Sequence, residues 1–217
     1  METQSPFEEL REIVVFSDKE IFTKIWTSPR KVFQYLEEND YDKFVTSLLA
    51  LAGIYRGFDR AVSRNMGDDM GLIAIIAIAV IAGGLLGWLS YYIYSGLLKW
   101  TGSWLGGEAE TSSILRVVAH GMIPSIVSLV FVVFQMLLWG NEIFKADGYI
   151  SQYGLIGEIV FTASALAEVA LSIWSIVLIV AGLSVVQKFS TGKAILNFLL
   201  PILVIAVPIM LIVWMFA

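Results

Sequence analysis

Arg56, His120 and Glu168 are ionisable residues set among otherwise apolar stretches. Charge inside a bilayer is costly, so such residues either pair with one another or mark a path for ions and protons. In concert, Arg56, His120 and Glu168 could form a proton or ion relay. The plainer chemistry is an architectural ion pair between Arg56 and a carboxylate, either Glu168 or Glu158. His120 carries little weight alone, because Arg116 one turn earlier draws it towards the membrane interface. Glu108 and Glu110 in a Gly-rich segment, and Glu142, Asp147 and Glu158 in a longer one, could hold a cation, though solvated loop carboxylates are far commoner. No metal or cofactor is expected: one His and no Cys are too few soft ligands for a transition metal. No HExxH, no phosphate-cradling Gly-rich loop with its Lys and no nucleophile elbow occurs. The residues point away from an enzyme.

The elements that must position these groups are membrane helices. Of 217 residues, 58% are hydrophobic and 15% charged, and the mean hydropathy is +0.78, where soluble domains carry about 25% charged residues. A net charge of -5 with 14 basic residues leaves no dense cation cluster for phosphates, which argues against nucleic acid as a partner. A spanning helix needs about 20 apolar residues. Uncharged runs of about that length, 72–98, 117–141, 169–187 and 194–217, predict helices over about 72–98, 115–139, 166–187 and 194–216. The stretch 44–55 is too short alone. Its apolar periodicity continues through Phe58 and Val62 while Arg56, Arg60 and Arg64 recur every four residues on another face, which predicts one helix over about 41–64. That helix either spans, with its arginines snorkelling or facing the bundle, or lies in the interface. The expectation is an all-α integral membrane bundle of five transmembrane helices, or four plus an interfacial first segment. In both topologies ten of the 14 basic residues fall on the side of the N-terminus, which is therefore predicted cytoplasmic.

Residues 1–43 read as a cytoplasmic tail with no apolar run long enough for a signal-peptide core. Within it Ser28 and Pro29 predict an N-cap followed by Pro at the first helical position. The resulting helix, to about Glu38, gathers Pro29, Val32, Phe33 and Leu36 on one face with Trp26 just upstream, the pattern of an amphipathic helix at headgroup level. Trp88, Trp100, Trp104, Trp139 and Trp214 fit interfacial belts. Ala79, Gly83 and Gly87 form a small-xxx-small stripe whose plainer use is packing within the bundle and whose alternative is self-association. Pro124, Pro201 and Pro208 predict kinks. The expected partners are the lipid bilayer and, through such helix faces, other membrane proteins or a second copy of the chain.

Ile25-Trp26-Thr27-Ser28-Pro29-Arg30-Lys31-Val32-Phe33, Leu51-Ala52-Gly53-Ile54, Leu105-Gly106-Gly107-Glu108, Ile123-Pro124, Ile173-Trp174-Ser175, and Val186-Gln187-Lys188-Phe189-Ser190 ahead of Lys193-Ala194-Ile195 follow one another along the chain. In this order they resemble bacterial members of the Yip family of polytopic membrane proteins. The resemblance implies a Yip-like transmembrane domain over 44–217, five spanning helices, a cytoplasmic N-terminus and, from the bacterial members, a plasma-membrane location. Eukaryotic relatives are associated with Rab-type GTPases. Their long polar N-terminal region and Asp-Leu-Tyr-Gly-Pro motif have no counterpart in this sequence, so that role is not carried over. The expected function is non-catalytic membrane organisation or scaffolding, with a small transporter or channel subunit as the alternative.

Overall fold

The computed structural model describes residues 15–216; the first 14 residues of the expected tail and Ala217 lie outside it. All regular structure among the described residues is helical. Helix α1, Asp18–Lys24, opens with a capping box in which the Glu20 N–H donates to Ser17 Oγ and the Ser17 N–H donates to Glu20 at 2.9 Å, satisfying donors the first turn cannot. Helix α2, Pro29–Glu38, has Pro at its first position as expected. Ser28, at the cap position, makes no side-chain capping bond.

The apolar face of α2 corrects an expectation. Val32, Phe33 and Leu36 are fully buried, in one cluster with Val117, Leu178 and Leu183, so the face predicted to rest on lipid is covered by protein. Trp26 is only half-buried at the edge of that cluster. An amphipathic pattern fixes which face is buried, but not whether lipid or protein covers it.

Helix α3 runs Val45–Ser63. Helix α4, Leu72–Ile78, passes through a π turn at Ala79–Gly83 into α5, Gly84–Trp104. Helix α6, Thr111–Gly121, breaks at Met122 before α7, Ile123–Trp139. Pro124 stands in the first turn of α7, where its missing N–H costs no hydrogen bond. The segment expected as a loop from Gly140 to Ala165 is instead two 3₁₀ turns, Gly140–Phe144 and Ile150–Tyr153, followed by the first three turns of α8, Gly154–Val186. The expected start near 166 put Glu168 at the beginning of the helix; both Glu158 and Glu168 instead sit on it without ending it. Helix α9, Thr191–Phe216, continues through Pro201 and Pro208.

Among the described residues three helices are long and apolar enough to cross a membrane: Leu72–Trp104, Thr111–Phe144 and Gly154–Val186. The first buries only 17% of its most apolar window and turns Ile73, Ile81, Leu85, Leu86 and Ile93 outward. An apolar surface of that extent requires lipid or another apolar partner. Connections gather at two opposite ends. At one, Asn141 Nδ2 donates to the carbonyls of Gly67 (3.0 Å) and Met70 (3.2 Å), joining the α3–α4 and α7–α8 connections. At the other lie α1, α2, the α5–α6 connection and the α8–α9 turn. Helix α3 runs from the second end to the first, against α4 and α5.

Candidate functional site

The relay is not assembled. Glu168 accepts from Gln135 Nε2 at 2.6 Å, and the same amide donates to Ser164 at 2.9 Å. Among the described residues no ion pair joins Arg56 to Glu168 or to Glu158. His120, expected near the interface, is fully buried. Its Nδ1–H donates to the Arg116 carbonyl at 2.9 Å, since a carbonyl can only accept, while Nε2 has no partner and the ring lies 6.2 Å from that of Tyr41. The three residues therefore occupy three separate environments.

Glu168 belongs to a polar seam between α7 and α8. Ser125, Ser128 and Gln135 share one face of α7, and Ser164, Glu168, Ser172 and Ser175 share one face of α8, by their helical spacing. Ser125 donates from its backbone N–H (3.0 Å) and pairs through its hydroxyl (2.8 Å) with Ser175 Oγ. The donor left free at the start of α7 is thus capped by a neighbouring helix, not by the residues beside Pro124. Tyr55 of α3 pairs with Ser172 at 3.3 Å. Hydrogen bonds of this kind hold helices together where lipid supplies no hydrophobic drive.

Arg56, itself exposed, lines an open-sided pocket of ≈ 490 Å³ bordered by α3, α5, α6, α7, α8 and α9. Tyr55 and Asp59 of α3, Ser90 and Tyr91 of α5 and Ser172 of α8 supply further polar groups, and Ile176, Ile179 and Ile202 supply an apolar wall.

Ala79, Gly83 and Gly87 face α3 inside the chain. A Cβ built on Gly53 would overlap the Gly83 carbonyl oxygen and stand 2.7 Å from Gly87 Cα. One built on Gly57 would stand 2.8 Å from Ala79 Cα. The stripe packs against a matching one, Gly53, Gly57 and Ala61, whose four-residue spacing the sequence displays. With α3 seated there, the stripe is not free for a second copy.

Arg116 is the group sequence reasoning undervalued. Its side chain is 4% exposed, and its Nη1, Nη2 and Nε donate to Glu37 (2.9 Å), Asp40 (3.0 Å) and Asp42 (2.9 Å). Glu37 also accepts from Ser113 at 2.8 Å. This guanidinium fork ties the α2–α3 connection to α6. Beside it Asp18 pairs with Lys43 and accepts from Tyr41 at 2.6 Å. The Lys43 and Tyr41 hydrogen bonds hold the Asp18 carboxyl below its ordinary range.

The stretches that carried the family resemblance meet one another in space. Phe33 lies over Gly182 of α8, and Arg30 donates to Thr191 at 2.7 Å. Gly107 makes room for Gln187 and Phe189. Gln187 accepts from the Ala109 N–H at 3.1 Å and donates to Asn197, which donates in turn to Leu98 O and Thr101 Oγ1, both at 3.0 Å. Lys188 reaches Glu108 at 2.7 Å; that contact lowers the Glu108 pKa and raises that of the lysine. Leu51 to Ile54 meets the glycines of α4–α5, and Ser175 meets Ser125 immediately after Ile123-Pro124. The motifs are places where helices touch.

A helical bundle with three long apolar helices, outward apolar faces and buried polar seams is a multi-pass membrane protein. A family model described as the Yip1 domain matches residues 23–213, and the chain belongs to that family. Neither a curated protein nor a solved structure matches it.

Proposed function

We propose that the chain is a five-pass, non-catalytic membrane protein that organises the surrounding bilayer or recruits other membrane proteins. In this reading α1 and α2 lie on the cytoplasmic side of a bacterial plasma membrane. The observation that carries it is the course of α3. It joins the same two ends as the long apolar helices, and Gly53 lies against Gly83 and Gly87 near the middle of the apolar run 72–98. With α9 as the fifth span, the basic bias puts α1, α2 and the α8–α9 turn in the cytoplasm. A scaffold role is supported by the uncovered face of α4–α5 and by motif contacts that tie helices together instead of lining a path.

The chain has no Cys, so single cysteines report topology directly. A cysteine at Ser190 should react only with reagent on the cytoplasmic side and one at Asn65 only from outside. A cysteine at Thr27, before α3, should be labelled from the side opposite to Asn65, and labelling of both from the same side would establish four passes. For the scaffold role, liposomes containing the protein should hold a proton gradient as well as protein-free ones. A flux that Glu168→Gln abolishes would overturn it.

A further inference from the structure

Arg56 follows Gly53 by three residues, about 4.5 Å along the helix, and Gly53 marks the middle of the apolar run on α4–α5. A guanidinium at that depth requires a counter-charge or a polar cavity. Asp59, one turn on, lines the same cavity. Among the described residues neither Arg56 nor Asp59 is in an ion pair, with the other or with any other group. The cavity thus presents one unmatched cation and one unmatched anion, with hydroxyls of Ser90, Tyr91 and Ser172 nearby and an apolar wall at Ile176 and Ile202. Its ≈ 490 Å³ lies in the small-molecule range of about 300–1,000 Å³.

The geometry points to a binding site for one zwitterionic phospholipid headgroup, its phosphate on Arg56 and its amine on Asp59. A guanidinium fork matches phosphate oxygens, a carboxylate matches an ammonium, and the wall accepts the start of the acyl chains. An anionic lipid would leave Asp59 facing the phosphate without a compensating cation. The proposal rests on the five-pass reading, which places α3 in the bilayer; cysteine labelling at Thr27 and Asn65, on opposite sides if α3 spans, tests that reading separately.

The test offers the full chain, purified in mild detergent, equal amounts of phosphatidylethanolamine and phosphatidylglycerol of different acyl mass, and counts retained lipid by native mass spectrometry. The wild type should retain one phosphatidylethanolamine, preferred by about tenfold. Arg56→Gln should lower retention of both lipids about tenfold. Asp59→Asn should keep a lipid bound but move the preference to phosphatidylglycerol, a reversal that general loosening of the bundle would not produce. Ile176→Trp, which fills the cavity and leaves both charges, should abolish retention. The site is refuted by a wild type that retains no lipid, by Ile176→Trp retaining as much as wild type, or by a preference unchanged in Asp59→Asn. Displacement of the lipid by millimolar phosphoethanolamine would support the headgroup chemistry, whereas phosphoethanolamine retained in place of lipid when both are offered in equal amounts would overturn the membrane as its source.

Discussion

Replacing Gly53 by leucine is expected to cost the folded bundle about 3 kcal/mol or more, the upper end of what an inserted side chain costs a packed core. The reason is what the new atoms meet. The neighbours of a Cβ at Gly53 are the Gly83 carbonyl and Gly87 Cα, backbone atoms on a helix that cannot rotate away as a side chain would. Relief requires α3 to withdraw from α4–α5, and withdrawal also breaks the approach of Gly57 to Ala79. Gly96→Ala supplies the contrast, since nothing lies within 4 Å of a Cβ there and alanine favours a helix over glycine by about 1 kcal/mol. Chemical denaturation in detergent should show Gly53→Leu unfolding well before wild type and Gly96→Ala at or after it. Equal midpoints for all three would refute the close approach of the two helices.

That crossing was half legible in the sequence. Ala79, Gly83 and Gly87 display their four-residue spacing to anyone counting, and so do Gly53, Gly57 and Ala61. Which stripe meets which is a tertiary fact that no local pattern carries. The long uncharged stretches were legible because membrane thickness sets a length that apolar runs must reach. The start of α8 was not, because a carboxylate in the sequence does not show whether a neighbouring helix will satisfy it. Glu168 is tolerated deep in α8 because Gln135 of α7 donates to it, a partner 33 residues away. For the same reason the Arg56–His120–Glu168 relay failed: each is ionisable within an apolar context, yet depth along separate helices says nothing of distance between them. The apolar face of α2 was read correctly as a face and wrongly as lipid-bound, since periodicity reports what must leave water and not what receives it.

Arg116 poses the sharpest case, because its sequence neighbours are apolar and all three of its carboxylate partners come from residues 37–42. Arg116→Leu is expected to destabilise the attachment of α1 and α2 by about 3 kcal/mol, the low end for breaking a buried ion pair. The low end applies because the carboxylates can return to water: the Glu37, Asp40 and Asp42 side chains are 35%, 89% and 64% exposed, against 4% for the arginine. The effect should be local. Loss of the fork frees the connection that carries α2, whose Val32, Phe33 and Leu36 then lift from α6 and α8, while the Asn141 contacts at the far end are untouched. Limited trypsin digestion in detergent should accordingly cut Arg116→Leu faster at Lys24, Arg30 and Lys31, with the region after Lys43 still protected. Arg116→Lys should recover only part of the resistance, since an ammonium lacks the planar fork that reaches three acceptors at once. Wild-type rates at those three sites in Arg116→Leu would mean that apolar burial alone holds α1 and α2 down. The ion cluster would then be a consequence of their docking and not its cause.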